Sequence, residues 1–178
     1  MSTKEPKPRS ERAFQWDQWM ATHQILCWLI AAALAVIGAV IIVWLAPASV
    51  GTYATIALAI LLMLAYRWAA NAPIRSMQEW VRRLRAKEPT RDDNQAYLDY
   101  LLRLEEKLPA MQKKELAFLI TLNKGYRLAC LDRKEEALAL LRSFDQIWDP
   151  AMQDRINELI RLINGETGPT PSETKEQP

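Results

Sequence analysis

One stretch of the sequence, residues 24–66, contains no Asp, Glu, Lys or Arg, although these residues make up 25% of the chain. Its first part, Ile25–Ala46, has 22 residues. A helix of that length spans roughly 33 Å at about 1.5 Å per residue, enough to cross the hydrocarbon core of a membrane. The second part, Val50–Tyr66, reaches a spanning length when the helix continues to Ala70. We therefore predict a two-helix transmembrane hairpin over residues 25–70.

A buried soluble core and a secretory signal are both weaker interpretations of the apolar stretch. A chain of 178 residues leaves too little remaining sequence to cover two such helices in a soluble core. A secretory signal cleaved after Ala48 would need an apolar part about twice the usual length, and a second apolar run follows at once. Aromatic residues near the ends of both runs are typical of membrane interfaces. They are Phe14, Trp16, Trp19, Trp44, Tyr53, Tyr66 and Trp68.

The distribution of Lys and Arg predicts the orientation of the hairpin. Four basic residues lie between Lys4 and Arg12, six lie between Arg67 and Lys87, and residues 47–52 contain none. Because cytoplasmic loops carry the excess of basic residues, both termini are predicted to be cytoplasmic. The chain is then a multi-pass protein of the inner (cytoplasmic) membrane, in contact with membrane lipid, and residues 1–24 form a cytoplasmic N-terminal segment.

Small residues recur every four positions in each apolar run. Such stripes let helix backbones approach closely in lipid, either within the hairpin or between copies of the chain, so a homo-oligomer is allowed. The predicted helix-packing residues are Ala31, Ala35 and Ala39 in the first run and Gly51, Thr55 and Ala59 in the second.

Residues 71–89 are predicted to form a basic, amphipathic juxtamembrane helix. Pro73 ends the second apolar run, and apolar residues then recur on one face between Ile74 and Leu84. The helix either lies on anionic lipid headgroups or packs, as an ordinary solvated helix, on the domain that follows. On the first interpretation, the residues at the membrane surface are Arg75, Trp80, Arg82, Arg83 and Arg85.

The rest of the chain predicts a small helical domain over residues 90–164. Helices are expected at about 91–107, 110–131, 134–147 and 150–164, with Thr90 capping the first and Gly165 ending the last. Five Gly and no regular series of short strands argue against an all-β fold, so the predicted class is all-α. Residues 165–178 are rich in Pro, Thr and Glu and are predicted to be disordered.

Residues 117–150 carry small and apolar residues at a recognisable spacing. Gly125 and Ala137 lie twelve residues apart, Leu128, Leu141 and Phe144 are apolar, and Pro150 closes the segment. This pattern resembles one tetratricopeptide repeat (TPR), a 34-residue helix–turn–helix unit, over about a fifth of the chain. The resemblance implies that Gly125 and Ala137 form the close contact between two helices, with the flanking helices completing the core.

The segment departs from the TPR pattern at four positions. Thr121 replaces a large apolar residue, Lys124 replaces Leu, Asp132 replaces a turn Gly and Phe144 replaces a small residue. Modules of this family bind peptides or proteins, so the resemblance also implies a protein partner.

The sequence lacks the residue patterns of common catalytic and metal sites. His23 is the single histidine, and neighbouring acidic residues such as Glu135 and Glu136 point about 100° apart on a helix. No glycine-rich phosphate loop and no nucleic-acid recognition motif occur. We therefore predict a non-enzymatic protein with no cofactor, no metal and no nucleic-acid partner.

The favoured function is that of a membrane-anchored adaptor whose TPR-like module binds a partner protein at the cytoplasmic face. The predicted contact residues, expected to face solvent, are Asn123, Lys124 and Arg127. One alternative is a structural accessory subunit of a larger membrane complex. A holin-like pore is less favoured, because a pore needs no folded cytoplasmic part.

Overall fold

The computed structural model describes residues 10–45, 48–146 and 149–166, and within these ranges the chain is all-α, with no strand. This confirms the predicted fold class. Residues 167–178, most of the tail predicted to be disordered, lie outside the described residues, as do residues 46–47 of the hairpin turn. The helices are α1 (Glu11–Thr22), α2 (Gln24–Leu45), α3 (Ala48–Ala70), α4 (Ala72–Ala86), α5 (Arg91–Lys107), α6 (Ala110–Cys130), α7 (Lys134–Arg142) and α8 (Pro150–Asn164).

The helices form two compact units. The first contains the described residues up to Pro89 together with residues 102–113. The second contains residues 90–101 and the described residues from Lys114 onward.

In the first unit, α2 and α3 pack side by side through Gly38. A Cβ atom at Gly38 would lie 3.0 Å from Cδ2 of Leu58, so the absence of a side chain allows this approach. The partly buried residues of α2 include Ala31, Ala35 and Gly38, spaced by four and then three positions. This spacing keeps side chains on one face of a helix with 3.6 residues per turn.

The predicted small-residue stripes only partly match this contact face. Ala31, Ala35 and Gly51 are partly buried, whereas Ala39, Thr55 and Ala59 are exposed. A strict four-residue spacing advances about 40° around the helix at each step, so the later members of each stripe turn away from the contact. Ala39, Thr55 and Ala59 therefore lie outside the contact within the hairpin, and their packing between copies of the chain stays a prediction.

The N-terminal segment contains α1, a helix that the sequence pattern did not predict. Ser10 caps it, because its hydroxyl accepts a hydrogen bond from the Ala13 N–H at 3.4 Å. Helix α1 packs against α4. The buried residues of α1 are Phe14, Asp17, Met20 and Ala21.

The second unit has an apolar core to which α5, α6, α7 and α8 contribute. A Cβ atom at Gly125 would lie 3.0 Å from Cγ and Cδ2 of Leu141. Gly125 and Ala137 are both buried, and the side chain nearest to Gly125 is that of Leu141. The core residues are Leu98, Leu128, Leu131, Ala137, Leu141, Ile156 and Ile163, with Phe144 among the partly buried residues packed against them.

The turn between α6 and α7 depends on Asp132, whose φ of 65° lies in the left-handed region. The Arg133 N–H donates to the Leu128 carbonyl at 3.0 Å, and the Asp132 N–H donates to the Ala129 carbonyl at 3.1 Å. These two bonds form the helix-ending motif that usually contains Gly at this position.

Most helix ends agree with the sequence predictions. Thr90 caps α5, since its hydroxyl accepts a hydrogen bond from the Asp93 N–H at 3.2 Å. Gly165, with φ 77°, ends α8. Helix α7 is the exception, because it ends at Arg142 and not near Ile147. The Ser143 hydroxyl donates to the Leu140 carbonyl at 3.0 Å, a local bond that competes with continued helix.

Candidate functional sites

Two described helices, α2 and α3, are long and apolar enough to cross a membrane. The qualifying segments are Gln24–Ile42 and Gly51–Ala70, and almost none of their residues are buried within the chain. Large aliphatic side chains are exposed along both helices, for example Leu29 at 63%, Val36 at 64% and Leu61 at 63%. Soluble monomers rarely expose a continuous apolar surface of this extent.

Helices α1 and α4 are joined by an ion pair whose acidic member is buried. Arg75 Nη2 donates to Asp17 Oδ1 at 3.0 Å, and Asp17 is only 2% exposed. Arg75 Nη1 also donates to the Trp68 carbonyl at 2.7 Å, and the guanidinium carbon lies 4.9 Å from the centre of the Trp68 ring. Arg75 thereby connects α4 with α1 and with the end of α3.

A second buried carboxylate, that of Glu79, accepts hydrogen bonds from Arg82 and Arg83 on the same helix. Arg83 also pairs with Glu11 and lies 3.9 Å from the centre of the Phe14 ring on α1. Desolvation lowers the pKa of Arg83, but hydrogen bonds to Glu11 and Glu79 outweigh it and hold the pKa above its usual value. Arg83 is therefore a permanent cation within the contact between α1 and α4.

The five residues predicted to lie at the membrane surface do not share one environment. Arg75, Arg82 and Arg83 are partly buried and paired with carboxylates, and the Trp80 ring contacts Phe14 edge-on at 5.5 Å. Arg85 is exposed. Helix α4 thus packs on α1, an arrangement that neither of the two sequence-based interpretations included.

Three aromatic rings stack in succession along α1 toward the start of α2. The Trp16 and Trp19 rings stack at 5.2 Å, and the Trp19 and His23 rings stack at 5.0 Å. Trp16 is 54% exposed and Trp19 is 38% exposed. Amphipathic rings of this kind favour the boundary between hydrocarbon and water.

In the second unit, the predicted partner-contacting residues Asn123 and Arg127 form hydrogen bonds within the chain. Asn123 is partly buried, and its Oδ1 accepts a hydrogen bond from the Tyr97 hydroxyl at 3.2 Å. Arg127 is 6% exposed, so the expectation that it faces solvent is wrong. Its Nη1 donates to Asn94 Oδ1 at 2.8 Å. Lys124 is partly buried.

Two tyrosines enclose the Arg127 guanidinium. Its central carbon lies 5.4 Å from the Tyr97 ring centre and 4.7 Å from that of Tyr126. Burial raises the pKa of the Tyr97 hydroxyl well above its usual value, although the charge of Arg127 opposes this shift. Tyr126, in contrast, is 47% exposed.

Two buried polar side chains, Asp17 and Asn94, were not predicted, although their spacing from apolar residues indicates burial. Asp17 lies three residues from Phe14 and from Met20, so it shares their helix face, which is the buried face. Asn94 lies three residues before Tyr97, again on one face of a helix. Neither signal identifies the partner, because Arg75 and Arg127 are distant in sequence.

No family model, curated protein or solved structure matches this chain. Across residues 10–45, 48–146 and 149–166, no group of three or more His, Cys, Asp or Glu side chains is arranged to hold a metal ion.

Proposed function

We propose that this protein is a non-enzymatic, membrane-anchored adaptor. Helices α2 and α3 cross the inner membrane as a hairpin, and both chain ends lie on the cytoplasmic side. The second unit is a TPR-like helical module that binds a partner protein there. The anchor raises the concentration of that partner at the membrane surface.

The observation that carries this proposal is the uncharged, exposed surface of α2 and α3. At about 25 cal/mol per Å², transfer of such a surface from water to hydrocarbon is strongly favourable. Backbone polar groups in the interior of a helix are bonded within the helix, as the hydrocarbon core requires. The basic residues on either side of the hairpin support the cytoplasmic orientation.

The close approach of α6 and α7 supports a TPR-like module. Gly125 contacts Leu141, Ala137 is buried, and Asp132 adopts the turn conformation for which Gly is usual. In the second unit, Tyr126 offers an exposed aromatic ring next to the cation of Arg127. Exposed aromatic residues are common energetic centres of protein interfaces, so we place the partner contact at Tyr126 together with Lys124.

A second candidate function is a structural accessory subunit of a larger membrane complex. The observation that favours it is the exposed position of Ala39, Thr55 and Ala59 on the hairpin. Small residues on an outer helix face allow a further membrane helix to approach closely. Migration of the detergent-extracted protein on native gels as one small species would argue against this function.

The membrane anchor is tested by fractionation of cells that express the full chain. We expect the protein in the membrane pellet, resistant to extraction at high pH and released by detergent. Recovery of the intact chain in the supernatant after ultracentrifugation without detergent would overturn the anchor.

The adaptor role is tested by crosslinking in intact cells. A photoreactive side chain at Tyr126 is expected to capture one discrete protein partner. The same group at Glu158, an exposed position on α8, is the matched control. Equal adducts from both positions, or adducts with lipid alone, would count against a partner at Tyr126.

A further inference from the structure

A cleft of about 290 Å³ lies beside the first turn of α2, within the first compact unit. One wall is aliphatic and belongs to α2, and the other side carries polar groups from the end of α1 and from the last residue of α5. We call this site the α2 cleft; its lining residues are Thr22, His23, Ile25, Leu26, Leu29 and Lys107.

The aliphatic wall continues along the exposed surface of α2. Ile25, Leu26 and Leu29 are 58%, 45% and 63% exposed, and further exposed aliphatic residues follow toward the far end of the helix. A ligand in the α2 cleft therefore has a path along α2 for a long hydrocarbon chain. A small hydrophilic anion would leave this wall in contact with water.

The polar side of the α2 cleft is positively charged. Lys107 is exposed, and its ammonium group forms no ion pair with any side chain that the structure describes. The first turn of α2 lies at the same place, and its first backbone N–H groups have no partners within that helix. Because α1 ends beside it at Thr22, the partial charges of the two helix ends oppose each other, and the charge that favours an anionic group is that of Lys107.

We propose that the α2 cleft binds one phospholipid with an anionic headgroup. Its phosphate lies between Lys107 and the first turn of α2, and an acyl chain follows Ile25, Leu26 and Leu29. This site rests on the proposed function, because α2 must enter the membrane for a lipid to reach it. The stacked Trp19 and His23 rings lie at the same level, where aromatic side chains favour the headgroup region.

The test is native mass spectrometry of the full chain, released from detergent micelles that contain equal amounts of phosphatidylglycerol and phosphatidylcholine. We expect phosphatidylglycerol to be retained about fivefold more than phosphatidylcholine, which corresponds to the attraction of one cation near an anionic lipid. Lys107→Gln should bring the two lipids close to equal retention. Lys113→Gln is the matched control, since Lys113 is exposed in the same unit but does not line the cleft.

Three outcomes would overturn the proposed site. One is equal retention of both lipids by the unmodified chain, and a second is an equal loss of selectivity in Lys107→Gln and Lys113→Gln. The third is displacement of phosphatidylglycerol by glycerol phosphate at the same concentration as the lipid, since a phosphate site needs no acyl chain. Failure of the anchor is distinguishable, because the chain would then remain soluble without detergent.

Discussion

The two compact units bury charge in opposite ways. In the first, the carboxylates of Asp17 and Glu79 are almost fully buried, and each bonds to at least one arginine. In the second, Arg127 is equally buried but bonds to the neutral amide of Asn94 and lies against two tyrosine rings. A buried charge is tolerated when it is paired, and the loss of one partner leaves the other uncompensated. The contact of α1 with α4 should therefore depend on charge pairing, whereas the second unit should depend on apolar packing.

The largest expected effect is the loss of the ion pair between α1 and α4. Asp17→Ala removes the carboxylate that Arg75 contacts, and we expect the contact to weaken by about 2–3 kcal/mol. The cost is below that of a fully enclosed pair, because Arg75 is partly exposed and keeps its bond to the Trp68 carbonyl. Hydrogen exchange of the α1 amides in detergent micelles, followed by mass spectrometry, should accelerate about 30- to 150-fold.

Two variants sharpen this result. The double variant Asp17→Leu with Arg75→Leu should restore most of the protection, since no charge remains buried without a partner. Glu136→Ala removes an exposed ion pair with Arg133 and should change exchange in α7 very little. Unchanged α1 exchange in Asp17→Ala would show that the Asp17–Arg75 pair does not hold α1 on α4.

In the second unit, the neutral form of Tyr97 should make stability sensitive to alkaline pH. Burial raises the pKa of Tyr97 in the folded chain above the value of about 10 expected in the unfolded chain. The unfolded state therefore loses this proton first, so the contribution is complete below about pH 10 and falls by about 1.4 kcal/mol per pH unit between that pH and the raised pKa of the folded chain.

Denaturant unfolding of the full chain in micelles at pH 9 and pH 11 measures this contribution. Tyr97→Phe should lose less stability between these two pH values than the unmodified chain does, by about 1.4 kcal/mol. Tyr126→Phe is the control, because Tyr126 is 47% exposed. An equal loss in all three proteins would contradict the assignment to Tyr97.

Replacement of the buried cation in the second unit should cost less than Asp17→Ala. Arg127→Met keeps a long side chain in place, removes the charge and leaves Asn94 Oδ1 without its donor. We expect a loss of about 1 kcal/mol in the free energy of unfolding, because the loss of this charge-assisted hydrogen bond is partly offset by removal of a buried cation that a neutral amide holds. Breaking a buried ion pair costs about 3 kcal/mol or more. A loss of that size in Arg127→Met would show that the second unit also depends on its buried charge and not mainly on apolar packing.

The way in which charge is buried also explains which helices could be predicted from the sequence. Helices with a continuous apolar face or a clear cap were predicted nearly to the residue, as for α5 after Thr90 and α8 before Gly165. The helix α1 was not predicted, because Asp17 and neighbouring polar residues interrupt its apolar face. The spacing of apolar residues indicates a helix only when the buried face is apolar. A charged side chain that is buried with its partner interrupts that spacing.

The same limit applies to the candidate sites. Arg127 was predicted to face solvent because arginine usually does, and only the positions of Asn94 and Tyr97 place it inside. Gly38 was not selected in the hairpin, since the regular four-residue spacing after Ala35 leads to Ala39. The burial of Arg127 and the close approach at Gly38 both depend on contacts between residues that are distant in sequence. A single sequence does not specify such contacts.

The smallest expected effect concerns the turn that joins α6 to α7. Asp132 has φ 65°, a conformation that costs little for Gly and more for residues with a Cβ atom. Its side chain forms no hydrogen bond with the described residues, so Asp132→Gly removes strain without loss of a contact. We expect a gain of about 0.5 kcal/mol in the free energy of unfolding, measured by denaturant titration in micelles. Glu135→Gly, placed within the exposed face of α7, should instead lose about 1 kcal/mol. Destabilisation by Asp132→Gly would contradict the prediction, because the entropy that Gly adds to the unfolded chain would then exceed the strain relieved at position 132.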